Sequence, residues 1–178
     1  MRLFVAIPVP ERLTPALKRV QSVIDPDRDK LKMTTSFHIT IRYLGEQDRE
    51  KTKEIKRALT ALCFAPFALH LTALGFFGRK DKMRVIWAGL APSRELDRLF
   101  GQLSSRLRFL DLEVISAFHP HITLARARRG GGRITLPDTI TVEDHNRRFT
   151  VRELVLYESR LSPAGASYKP LHSVCASA

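Results

Sequence analysis

Apolar positions along the chain switch between two periods, and the switches mark its elements. Residues 3–9, LFVAIPV, are an apolar run stopped by Pro10 and predict a first strand. Leu13, Leu17, Val20 and Ile24 then recur at helical spacing, with Lys18 and Arg19 outside, and predict an amphipathic helix that DPDRDK ends. Alternation returns from Phe37 to Leu44 and stops at Gly45. Ile55, Leu59 and Leu62 predict a second helix from about Asp48 to Leu62. Residues 66–78 and 83–90 predict two strands joined by the basic turn GRKDK. The pattern restarts near the midpoint: Ser93 is an N-cap for a helix striped by Leu96, Phe100, Leu103 and Leu107, and His121–Arg126 predicts another strand. RARRGGGR reads as a loop, because three glycines in a row support neither helix nor strand. Residues 149–161 predict one long strand, SPAGAS a turn, and YKPLHSVCA a short final strand.

Strands joined by hairpin-length turns and interspersed with helices predict an α+β fold with antiparallel sheets, not a doubly wound parallel sheet. A length of 178 residues suits one compact domain or two small lobes sharing a core. One phrase occurs twice within it: His-Ile-Thr at residues 38–40, in SFHITIRYLG, and again at 121–123, in AFHPHITLAR. The repeat predicts an internal duplication. We expect a single bilobal domain over residues 1–178, with a first motif half of about 1–90 and a second of about 91–178.

Residues two apart in a strand share a face, so His38 and Thr40 lie together, opposite Phe37, Ile39 and Ile41. His121 and Thr123 stand likewise against Ile122 and Leu124. A pseudo-two-fold axis would turn the two polar faces toward each other across a groove. Two imidazoles and two hydroxyls around one point suit phosphodiester chemistry. Imidazole holds either protonation state near neutrality, so one ring can deprotonate water while the other protonates the leaving oxygen. The threonine hydroxyls can donate to the non-bridging phosphate oxygens as charge builds there. One His-x-Thr alone is more often a satisfied strand histidine; two in matching contexts are not.

Charge narrows the partner. Thirty Lys and Arg against eighteen Asp and Glu give +12, which favours a polyanion or a phosphate-bearing molecule. No Gly-x-Gly-x-x-Gly or P-loop is present, so a dinucleotide or nucleoside triphosphate cofactor is not expected. No Cys/His spacing resembles a zinc site. Cys63 and Cys175 lie far apart and read as free thiols in a reducing cytoplasm. No apolar run is long enough to span a bilayer.

The paired motifs resemble those of the two-histidine phosphoesterase superfamily. FVAIPVP, FHITIRYLGE, HPHITLAR and ESRLSPAGASY, in that order, resemble its RNA 2',3'-cyclic phosphodiesterase branch, historically called 2'-5' RNA ligases, over nearly the whole chain. The resemblance implies a bilobal α+β fold with two antiparallel sheets, one histidine in each lobe, and one lobe containing both termini. It implies His38 as general acid, His121 as general base, and Thr40 and Thr123 as phosphate ligands. Two departures stand out. TIRYLG replaces a more apolar TLxFLG, which places Arg42 on the face of His38 and Thr40, in reach of a phosphate or solvated at an edge. His119 stands where arginine is common; it either approaches the groove or is exposed. Arg126 follows the family pattern but falls on the apolar side by strict alternation. Arg129 belongs to an arginine-glycine loop that either clamps RNA or is merely solvated. Tyr43, Phe76, Phe77, Trp87 and Phe118 are the aromatic candidates for stacking on a base. His70, His145 and His172 read as structural or surface groups.

The resulting expectation is a monomeric, cytoplasmic, metal-independent enzyme that opens the 2',3'-cyclic phosphate at RNA ends. Three rivals remain at this level: 2'-5' joining of RNA halves by the reverse displacement, an RNA-binding module without catalysis, and a metal site using His119 and His121.

Overall fold

The computed structural model describes residues 1–24, 30–79, 82–110, 112, 118–128, 147–162 and 165–177. The elements run β1 (Arg2–Pro8), a 3-10 turn at Glu11–Leu13, α1 (Thr14–Ile24), β2 (Leu31–Met33), β3 (His38–Glu46) and α2 (Arg49–Thr60). They continue β4 (Phe67–Arg79), β5 (Lys82–Leu90), α3 (Arg94–Arg108), β6 (His121–Ala127), β7 (Arg148–Val151), β8 (Glu153–Ser162) and β9 (Gly165–Cys175). Helix starts follow the capping rule: Asp48 accepts from the Lys51 N–H at 2.7 Å, and Ser93 from the Leu96 N–H at 3.2 Å.

The α+β, antiparallel architecture is the one the pattern predicts. The strands lie in the order β7-β4-β5-β6-β3-β1-β8-β9, with β2 alongside β6. Among the described residues all strand pairings are antiparallel. The two motif strands, β3 and β6, are neighbours at the centre, joined through the single pair Ile39 and Ile122. The first strand, β1, lies beside β8 of the final hairpin. Apolar residues from one face of the strands pack with α1, α2 and α3 into a common core that includes Leu3, Val5, Ile7, Leu17, Ile39, Ile55, Leu103 and Ile122. The other face is left for the groove.

Three local expectations change. The stretch 149–161 is two strands, not one: β7 pairs with β4, whereas β8 pairs with β1 and β9. The chain changes sheet neighbours at Arg152, and hydrophobic alternation does not encode a change of partner. The three-residue β2 is too short to raise a periodic signal. In RARRGGGR, Arg126 and Ala127 still belong to β6, and Arg128 Nε donates to the Leu31 carbonyl at 3.1 Å; the remainder, including Arg129, lies outside the described residues.

Candidate active site

Both motif strands carry the same irregularity. Between β1 and β3 the register steps from Ala6↔Thr40 to Val5↔Arg42, which skips Ile41. Between β5 and β6 it steps from Trp87↔Thr123 to Ile86↔Ala125, which skips Leu124. Each is a β-bulge one residue beyond the threonine, and an extra residue reverses the faces of everything after it. Arg42 and Ala125 therefore turn into the core. Tyr43 and Arg126, each five residues beyond its histidine, turn to the groove. The second bulge is tied down from behind: the Leu124 carbonyl accepts from Gln21 Nε2 at 2.7 Å and from the Thr34 N–H at 2.9 Å.

This corrects two readings made by strict alternation. Arg42 is 3% exposed and does not line the groove. Arg126 does line it, and its charge depresses the pKa of both motif histidines.

The groove has a volume of about 840 Å³, and His38, Thr40, His121 and Thr123 all line it. Each imidazole is held by the backbone two residues upstream. His121 Nδ1 donates to the His119 carbonyl at 2.7 Å, which leaves Nε2 as the unprotonated nitrogen of the neutral ring. The His38 ring is likewise hydrogen-bonded to the Ser36 backbone. Burial lowers both pKa values. His38 falls to about 4, with the Ser36 bond opposing and Arg126 and His121 adding to the fall. His121 is lowered by burial first, then by Arg126 and His119, against the bond to the His119 backbone. Both imidazoles are therefore neutral at neutral pH.

Aromatic rings fix the imidazoles sideways. Around His38 stand Tyr168, edge-on at 4.9 Å between ring centres, and Phe4 at 5.1 Å. Around His121 stand Phe77, edge-on at 4.9 Å, and Trp87 at 5.9 Å. Trp87 lies across Gly75, where an added Cβ would sit 2.1 Å from the indole. Of the stacking candidates, Tyr43 and Phe77 line the groove; Phe118 instead stacks on Phe100 at 4.4 Å, and Phe76 packs against the core. Phe4, Tyr168, Arg2 and Lys32 also line the groove and were not found from the sequence. Their places depend on which strands are neighbours. The side chain of His119 is exposed and outside the lining; only its carbonyl serves the site. His172 approaches Thr60, at 3.0 Å, away from the groove. Among the described residues no three His, Cys, Asp or Glu side chains cluster as metal ligands, and no helix is long and apolar enough to cross a membrane.

A groove floored by two His-x-Thr strands on an antiparallel α+β sheet defines a two-histidine phosphoesterase. The family described as the 2'-5' RNA ligase superfamily matches residues 9–162, and the chain belongs to it. A Methanocaldococcus jannaschii protein named RNA 2',3'-cyclic phosphodiesterase is 32% identical, over 95% of this chain and 97% of that one. One of the same name from Archaeoglobus fulgidus is 29% identical over 96% and 98%. Among solved structures, E. coli LigT complexed with 3'-AMP superposes with a TM-score of 0.81 at 27% identity, over 99% of this chain and 98% of that chain.

Proposed function

We propose that this chain is an RNA 2',3'-cyclic phosphodiesterase that opens a terminal cyclic phosphate to a 2'-phosphate. The observation that carries the reading is the pair of imidazoles in one groove, each oriented by the carbonyl side of its own strand entry. Water attacks phosphorus from one side, and His121 Nε2 takes its proton. The P–O3' bond breaks on the other side, and His38 gives its proton to the 3'-oxygen. The product is a 2'-monoester, with His121 protonated and His38 neutral until exchange with solvent restores both. Each proton transfer is typically worth roughly 10²–10⁴-fold. Thr40 and Thr123 donate to the non-bridging oxygens, and Arg126 adds a positive charge beside them.

The acid role needs a protonated His38, yet burial lowers its pKa to about 4. The anionic phosphate resolves this: a negative charge within a few ångströms raises both imidazole pKa values and favours one shared proton. Substrate binding therefore supplies the charge state that acid catalysis by His38 requires. No step in this scheme requires a metal or a nucleotide cofactor. We further read residues 1–90 and 91–178 as a duplication, because both motif strands bulge at the same offset, and the protein as a monomer working on RNA ends in the cytoplasm.

The test is incubation with an oligonucleotide ending in a 2',3'-cyclic phosphate, in EDTA, with the product phosphate position determined. A 2'-phosphate formed at an undiminished rate is expected. A 3'-phosphate, or loss of activity restored by a divalent ion, contradicts the scheme.

A further inference from the structure

The two ends of the groove are chemically unlike. The bulges bring the residue five beyond each histidine to the groove face: arginine in one strand, tyrosine in the other. At the first end Arg126 faces Lys32 across β2 and β6, and the groove-lining aromatic there, Phe77, is only half-buried and already packs edge-on against His121. At the second end Tyr43 is 44% exposed, one of four large apolar or aromatic side chains that are exposed among the described residues. Its hydroxyl accepts from Arg2 Nε, and the guanidinium carbon lies 5.2 Å from the ring centre. The hydroxyl bond and the guanidinium over the ring thus hold it in a fixed orientation. Acidic neighbours do not neutralise Arg2: Glu46, its register partner, bridges the Met1 amine at 3.4 Å, and Glu158 bridges Arg160 at 2.9 Å.

Tyr43 stands three residues beyond Thr40 along β3, roughly 10 Å further out by strand rise. Tyr168 and Phe4, close to His38, are nearer the position of a terminal nucleoside. An RNA chain that ends at the histidines must leave the groove at one end only. An oriented, water-exposed aromatic ring beside an arginine is what an unstacked base and its phosphate require.

We propose that Tyr43 is the stacking platform for the nucleobase preceding the terminal one, and that Arg2 receives the phosphodiester linking the two. This rests on the RNA-end reading above and assigns the direction in which the RNA leaves. Single-nucleotide cyclic phosphates fill only the central part of the groove; chains of two or more reach Tyr43.

The experiment compares kcat/KM for a mononucleotide 2',3'-cyclic phosphate with that for a dinucleotide bearing the same cyclic end. The intact protein favours the dinucleotide. Tyr43→Ala reduces that preference roughly 5- to 150-fold, the range for stacking one base on one ring. Tyr43→Phe retains it, and Arg2→Gln lowers it and flattens its salt dependence. Equal losses on both substrates, no loss on either, or abolition of the preference by Lys32→Gln instead, overturns the proposal. If the unmutated protein opens neither substrate, the phosphodiesterase reading fails on its own. The subsite is then decided by the Kd for a dinucleotide 3'-phosphate: weakening in Tyr43→Ala upholds it, and an unchanged Kd overturns it.

Discussion

Ile39 of β3 and Ile122 of β6 are register partners, and both side chains are fully buried under the groove floor. Antiparallel pairing about that point sets His38 beside Thr123 and Thr40 beside His121. The two histidines become diagonal neighbours, about 7–8 Å apart at such positions, which leaves room for a phosphate. Each imidazole thus lies next to the hydroxyl of the other motif. Thr40→Ala and Thr123→Ala should each cost roughly 1.5–3 kcal/mol of transition-state stabilisation, one hydrogen bond to charge. Double-mutant cycles on kcat/KM should show stronger coupling for Thr40 with His121 than for Thr40 with His38. Coupling confined to residues of one motif would contradict the cross-strand arrangement.

The pH dependence follows from the lowered imidazole pKa values. The proposed hydrolysis needs one ring neutral and one protonated, and kcat/KM reports the free enzyme. His38 titrates at about 4 there, and His121 below its usual 6.5. The optimum of kcat/KM should lie on the acid side of 6.5, and that of kcat at higher pH, because bound phosphate raises both values. A common optimum for both parameters would count against charge supplied by substrate.

Stability carries the same signature. Unfolded His38 takes up a proton near 6.5 and folded His38 only near 4, so the unfolded chain binds more protons between them. The contribution is fully present above 6.5 and is lost as pH falls toward 4, by roughly 3 kcal/mol. Urea unfolding at neutral pH and at moderately acid pH should show a smaller loss in His38→Gln than in the unmutated protein. Equal losses would mean that the ring is not desolvated.

Gln21 acts on the groove from the core side. Its Nε2 donates to the Thr34 carbonyl at 2.8 Å and to the bulged Leu124 carbonyl at 2.7 Å. Gln21→Leu takes the side-chain donor from the Thr34 carbonyl and leaves the Leu124 carbonyl with the Thr34 N–H alone, and should destabilise the protein by about 1–3 kcal/mol. Through the Leu124 bulge it should also raise KM by loosening Arg126. Denaturant unfolding together with KM separates this from a purely structural effect.

Trp87 reports on the wall behind His121. Gly75→Ala pushes the indole away, because no Cβ fits at 2.1 Å, at a cost of about 1–3 kcal/mol for overpacking. As the chain has one tryptophan, its fluorescence should shift as turnover falls. An unchanged spectrum with reduced activity would place the effect elsewhere.

Much of this was legible in the residue pattern. The helices striped by Leu17 and Leu103, the hairpin at GRKDK and the two His-x-Thr strands all follow from periodicity. What escaped it has one cause. A bulge adds a residue without altering the local hydrophobic character, so Arg42 read as sharing the face of His38 and Thr40, Arg126 as an apolar-side residue, and Tyr43 could not be chosen among the aromatics. Phe4 and Tyr168 reach His38 only because β1, β8 and β9 line up beside β3, and no local signal reports that order. The break at Arg152 is hidden for the same reason.

The division of labour between the histidines is the central claim, and a change of leaving group tests it most directly. Turnover of His38→Ala and His121→Ala is measured on the 2',3'-cyclic phosphate and on an activated aryl phosphodiester, whose leaving oxygen needs no proton. Both variants should lose at least roughly 10²-fold on the cyclic phosphate while still binding RNA. On the aryl ester His38→Ala should recover much of its rate and His121→Ala should stay slow. Rescue of His121→Ala instead would reverse the two roles, and near-normal turnover of the cyclic phosphate by both variants would contradict acid–base catalysis by these histidines altogether.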